Sequence, residues 1–215
     1  MKTEKSIRNE FAVADFSVDM GGLSNVELPD PALLDYYTRL EKREIFLNCD
    51  IDDSICDFSM QILQWNAEDR GISPEMRKPI KIYINSNGGD VNAVLNLIDI
   101  IKLSKTPVYT IGMSKCYSSG GLLLISGHRR FIFPTTTFLL HDGQTGTYNT
   151  TSKVLDMAQF TKDQEERIKQ YVLENTSIPE SAYDANYRKD WFMYSEDMIA
   201  NGIADSIIMD LDELV

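Results

Sequence analysis

Ser118 lies in Tyr117-Ser118-Ser119-Gly120-Gly121, between an apolar strand-like run and an apolar helix-like run. A serine at a helix N-terminus sits at the positive end of the helix dipole, which favours negative charge developing there during attack on a carbonyl. The glycines let a substrate backbone come close. On this segment alone, a helix cap provided by Ser118 or Ser119 accounts for the same residues. His141 closes the apolar run Phe138-Leu139-Leu140 and precedes Asp142-Gly143. It reads either as a base for such a serine or as a hydrogen-bonded histidine at a strand edge. The chain has two histidines, so a multi-histidine metal site is excluded and any histidine catalysis falls to His141 or His128. His128, beside Arg129 and Arg130 in a turn, reads as a surface residue.

The order of these residues restricts the chemistry further. No aspartate or glutamate stands between Ser118 and His141, which excludes the serine, acid, histidine order of the α/β-hydrolases. Asp190, in Arg188-Lys189-Asp190-Trp191-Phe192, is a later carboxylate set against two aromatics. The plainer reading of Asp190 is a solvated acid beside two bases. Asn87-Gly88-Gly89 offers backbone N–H donors at a strand-to-helix junction, which suits an oxyanion. An ordinary Asn-Gly turn has the same composition, although a hairpin would require a strand next and a helical pattern follows. No G-x-x-x-x-G-K-[ST] motif is present, so the chain binds no nucleotide through a phosphate loop of that kind.

The elements that must position these residues alternate. Ile45 to Leu47 predicts a strand, and Ile55 to Trp65 a helix with apolar residues on one face. Asp69 to Pro79, with its glycine and prolines, reads as a loop. Ile80, Ile82 and Ile84 alternate as in a strand. After the glycine turn, Ala93, Val94, Leu97, Ile98 and Ile101 follow at helical spacing. Val108 to Ile111 is the next strand, Ser114 to Gly121 a small-residue turn, and Leu122 to Ile125 a buried helix. Phe131 to Phe133 and Phe138 to Leu140 predict short strands, with a polar loop from Gly143 to Thr151. Lys153 to Leu173 predicts a long charged amphipathic helix. Ser195 is the expected cap of a last helix stopped by Gly202, and Ile203 to Met209 the closing strand. Strands alternating with helices argue for an α/β fold with a largely parallel sheet.

Composition fits one soluble domain with a real core: 215 residues, 43% hydrophobic and 25% charged. Lysine plus arginine is 21 and aspartate plus glutamate 33, a formal charge of −12. So acidic a surface repels phosphate backbones and anionic membranes, so no nucleic-acid or membrane partner is expected. No run approaches the roughly 18 apolar residues of a membrane span. Cys49, Cys56 and Cys116 are odd in number and form no C-x-x-C pair, which fits a reducing, cytoplasmic setting. Residues 1–30 mix acids and bases without an apolar stretch, and read as an arm, not a secretory signal.

The same pieces, in the same order, resemble the proteolytic subunit family of the Clp protease, ClpP. Tyr37 to Leu47 resembles its opening helix-to-strand segment, followed by Ile51-Asp52-Asp53. Ile82-Tyr83-Ile84-Asn85-Ser86-Asn87-Gly88-Gly89 resembles its Y-I-N-S-P-G-G. Met113 to Gly121 occupies the place of its M-G-x-A-A-S-M-G-A, a register that makes Ser118, and not Ser119, the nucleophile. Leu140-His141 resembles the I-H of its base, Lys189-Asp190-Trp191-Phe192 its R-D-x-F, and Ala200 to Asp205 its E-Y-G-L-I-D. The sequence departs from the family pattern at Asn87, Ser119, Asp142-Gly143 and Arg188.

The resemblance implies a ClpP/crotonase-like α/β fold of repeated ββα units with a helical handle, a domain spanning 31–215. It implies a serine endopeptidase in which Ser118 attacks, His141 moves the proton and Asp190 orients the imidazole, with the N–H groups of Gly89 and Ser119 as the oxyanion hole. It implies self-association into two stacked heptameric rings, alone or with a paralogous subunit. Unfolded polypeptides would be the substrates, and a ClpX, ClpA or ClpC-type AAA+ unfoldase the partner. No cofactor is expected on this chain; the partner uses the ATP. The rival expectations are a non-catalytic ClpR-like ring subunit and a crotonase-type acyl-CoA enzyme.

Overall fold

A computed structural model describes residues 31–214, so the expected arm at 1–30 lies outside the described residues. The chain divides after Lys42 into two units, each described by itself. The first contributes helix α1 (Pro31–Lys42), which ends on Arg39 and Lys42, cations suited to the negative end of a helix.

The second unit, from Arg43, is built on a mostly parallel sheet. Its strands are β1 (Glu44–Leu47), β2 (Ile80–Ser86), β3 (Val108–Tyr117), β4 (Arg129–Ile132), β5 (Thr137–Leu140), β6 (Trp191–Met193) and β7 (Ser206–Ile207). The order is β1-β2-β3-β4-β7, with β5 branching from β3 and carrying β6. The pairings are parallel except β5 with β6. In β2, Ile80, Ile82 and Ile84 are fully buried while Lys81, Tyr83 and Asn85 are half-buried. One face therefore carries the core and the other is only partly covered by this chain. On the second face the rings of Phe46 and Tyr83 stack at 4.5 Å.

Helices α2 (Cys56–Glu68), α3 (Val91–Leu103) and α4 (Ser119–Leu124) pack together over the buried face. Helix α3 starts where the Asp90 carboxylate accepts the Ala93 N–H at 2.9 Å. It buries Val94, Leu97, Ile98 and Ile101 along one stripe. An ion pair closes the start of the unit. Arg43 donates to both carboxylate oxygens of Asp69, at 2.6 and 2.8 Å, and Thr106 Oγ1 donates to the same group at 2.8 Å. Arg43 itself is left-handed, with φ 58°.

After the sheet core come α5 (Thr151–Asn175), α6 (Glu180–Asn186) and α7 (Ser195–Ala200). The first ten residues of α5 are almost wholly exposed, Leu155, Met157 and Phe160 among them. Its last turns are anchored: Val172 is buried, and Tyr171 Oη donates to the Leu122 carbonyl at 3.1 Å.

The alternating α/β architecture with a largely parallel sheet and a long helix is as the sequence predicts. Three local expectations need correction. Ser114 to Tyr117 is strand, not turn, because Lys115, Cys116 and Tyr117 pair with Thr137, Phe138 and Leu139. Ser195 is the first residue inside α7 instead of its cap, and its hydroxyl donates to the Pro134 carbonyl at 2.9 Å. The closing strand shrinks to Ser206–Ile207. Ile203 and Ile208 are buried outside that strand: the Ile203 N–H closes a turn on the Met198 carbonyl, and the Ile208 N–H donates to the Ile132 carbonyl of β4 at 2.8 Å.

Candidate active site

Ser118 occupies the single-residue junction between β3 and α4. Its backbone has φ 53° and ψ −124°, a conformation few side chains adopt. The surroundings hold it there. Its N–H donates to the Leu139 carbonyl at 2.9 Å, while its carbonyl accepts from Gly121 and Leu122 at 2.9 and 3.1 Å. A sharp strand-to-helix turn of this kind pushes the serine side chain off the end of the strand and puts it at the mouth of the helix dipole.

The glycine turn lies against that junction. Gly88 and Gly89 have φ of 97° and 146°. A Cβ on Gly89 would fall 2.1 Å from the Ile51 carbonyl oxygen. Ile51 clasps the turn on both sides, its N–H donating to the Gly88 carbonyl at 2.8 Å and its carbonyl accepting from Asp90 at 2.8 Å. Ser86 Oγ accepts the Gly88 N–H at 3.1 Å. Ser119 Oγ donates to the Gly89 carbonyl at 2.9 Å, joining the two turns directly. Among the described residues, the N–H groups of Gly89 and Ser119 have no hydrogen-bond acceptor. Two free donors beside a serine hydroxyl are what a developing oxyanion requires.

His141 and Asp190 arrive from neighbouring strands. Leu140 on β5 is opposite Trp191 on β6, and the ladder is antiparallel, so the next residues outward are His141 and Asp190. The Nδ1 of His141 lies 3.5 Å from Asp190 Oδ1. The histidine side chain is 24% exposed and the aspartate 66%. Asp190 is therefore open to solvent and not enclosed by its two aromatic neighbours.

Ser118 and His141 line one small pocket of about 50 Å³. Its apolar walls come from Leu122 of α4, Ile168 of α5, and Tyr183 and Tyr187 at α6, with Asp142 and Glu165 also on its lining. Cys116, two residues before Ser118, is fully buried. Burial pushes its thiol up to about 12, so it supplies no thiolate. His128 is exposed, as expected; its Nδ1 accepts the Val108 N–H at 2.9 Å, and desolvation of the ring together with the charge of Lys102 lowers its pKa. It takes no part in this pocket.

The model of the Clp protease family matches residues 30–210. The chain belongs to the Clp protease family. That membership covers the whole described sheet, the glycine turn and every residue of the pocket. Clp protease members share the mixed α/β fold seen here, and the family is one of peptidases that work in rings with Clp ATPases. Among the described residues, no helix is long and apolar enough to cross a membrane.

The structure thus places Ser118 and His141 on one pocket, His141 against Asp190, and Ser119 against Gly89. Sequence reasoning missed Ile51, Ser86 and the pocket walls. The spacing of Glu165 and Ile168, three apart on a helix, was the available signal for one wall. Nothing local in the sequence marks Ile51 as the clasp of the glycine turn, since the contact spans some forty residues.

Proposed function

We propose that this Clp protease chain is an active serine-type endopeptidase. One observation carries the reading: a strained serine opens onto the same pocket as a histidine whose Nδ1 faces a carboxylate at 3.5 Å. In this reading Ser118 Oγ attacks the scissile carbonyl while His141 Nε2 takes its proton. Asp190 holds the Nδ1–H tautomer and stabilises the imidazolium. The tetrahedral oxyanion lies between the N–H groups of Gly89 and Ser119. His141 then returns the proton to the leaving amine, and water repeats the sequence to release the acyl group.

The chain acts as one subunit of stacked heptameric rings, alone or with a paralogue, and cuts unfolded polypeptides into short peptides. It needs no cofactor of its own. Separating a folded domain costs about 5–15 kcal/mol, which an AAA+ unfoldase of the ClpX, ClpA or ClpC type supplies by ATP hydrolysis. The half-covered face bearing Phe46 and Tyr83 is a fitting place for an apolar segment of that partner.

A fluorophosphonate probe and a short fluorogenic peptide test the peptidase reading. The assembled protein should carry one adduct, on Ser118, and should turn the peptide over. Absence of both points to a non-catalytic ring subunit. Hydration of an enoyl-CoA in their place points to the crotonase-type chemistry.

A further inference from the structure

Lys169 stands on α5 next to Ile168 and one turn after Glu165, both of which line the pocket beside Ser118. Four residues back, Glu165 would be its ordinary helical partner. The lysine reaches off its own helix instead. Its Nζ lies 2.9 Å from Glu180 Oε1 and 2.8 Å from Asp184 Oδ1. The lysine side chain is only 15% exposed, while both carboxylates are mostly in solvent. Glu180 and Asp184 are one turn apart on α6, so a single ammonium staples consecutive turns of α6 to α5. The two carboxylates hold Lys169 well above the usual lysine range.

Helix α6 has seven residues, too few to be stable without tertiary support. Its cap position is Pro179, which contributes no side-chain hydrogen bond. Its inward residue, Tyr183, is buried between the two acids in sequence and stacks on Tyr187 at 5.5 Å, with the rings 13° apart. Both rings face the pocket shared by Ser118 and His141. Asp190, by contrast, is set by the pairing of β6 with β5.

We propose that Lys169 is a positioning residue for substrate binding: by tying α6 to α5 it fixes the Tyr183–Tyr187 wall of the pocket that receives the substrate side chain preceding the scissile bond. This rests on the peptidase reading above. Because β6 places Asp190 independently, loss of the clamp falls on binding and leaves the proton transfers intact.

The test compares Lys169→Met and Lys169→Arg in the full chain. The substrates are two fluorogenic peptides, one with leucine and one with alanine before the scissile bond, and the probe is a small alkyl fluorophosphonate. For Lys169→Met the expected result is a KM for the leucine peptide raised by about tenfold with kcat kept within about twofold, the signature of lost uniform binding. The alanine peptide changes little, and Ser118 labels at the wild-type rate. Lys169→Arg restores the leucine preference, and Glu180→Gln with Asp184→Asn reproduces the loss. An unchanged preference in Lys169→Met overturns the proposal. So does a parallel fall in kcat and labelling, which would mean that the lysine supports the fold at large. Should Lys169→Met not fold, the acid-side double variant and Lys169→Arg decide the matter in the same terms. A wild-type chain that neither labels nor cleaves overturns the peptidase reading itself, and this proposal with it.

Discussion

Gly88 and Ser118 approach so closely that a Cβ on the glycine would stand 2.7 Å from the serine Cβ. Two turns, some thirty residues apart, are thus packed backbone to side chain, and the space between them holds no methyl group. Alanine at Gly88 or Gly89 should abolish peptide turnover, since backbone atoms of Tyr117 and Ile51 cannot yield. Gly71 is the control: it also has positive φ, at 94°, but open space around it. Its alanine variant should lose about 1 kcal/mol of stability from backbone strain and keep its activity. Thermal melts and peptide assays on the three variants check this.

Ser118→Ala should remove both labelling and turnover. Ser119→Ala should behave differently, because the adjoining backbone N–H remains and only the hydroxyl bond to the Gly89 carbonyl is lost. That bond is worth about 1 kcal/mol, so turnover should fall by no more than about tenfold. A dead Ser119→Ala protein that still folds would make the hydroxyl itself part of the reaction.

Asp190→Asn should cut kcat by about 10⁴, as an amide favours the wrong imidazole tautomer in a serine triad. Its side chain is 66% exposed, so stability should stay within about 0.5 kcal/mol of wild type. Near-normal turnover would leave His141 without need of its carboxylate.

Asp69→Asn should destabilise the fold by about 3 kcal/mol, the cost of leaving one member of a buried pair unpaired. The Arg43 guanidinium, helped by Thr106, holds the Asp69 carboxyl below its usual range. A lowered folded pKa means that the stabilisation is complete above the ordinary carboxylate value of about 4. It is lost as pH falls through the lower folded value. Urea midpoints of wild type and variant should therefore differ at pH 7 and converge in acid.

Much of this was legible because it is local. The alternation in Ile80 to Ile84, the stripe from Ala93 to Ile101 and the residues flanking Ser118 each carry their own pattern. Collinear order supplied His141 and Asp190. Features made by distant pairing left no such trace. Ser114 and Lys115 look like turn residues, yet β5 recruits that stretch into the sheet. Ile203 looks like a strand residue, yet a turn buries it equally well, and an apolar pattern reports burial without naming the backbone that achieves it. His128 carries two flanking arginines in sequence, but its ring is spent on the Val108 N–H. Arg188, a departure from the family pattern, donates to Tyr187 Oη at 3.0 Å.

The bare first half of α5 has a consequence for how this protein can be watched. About three turns of helix without tertiary cover can fray from the N-terminal end of α5 while its anchored last turns persist, so their amides have little lasting protection. Deuterium should enter Thr151 to Phe160 as quickly as it enters a peptide, whatever the stability of the sheet. Slow exchange in this stretch, growing with protein concentration, would then time the arrival of a neighbouring surface residue by residue, while the buried amides of β2 and β3 keep an independent clock of folding.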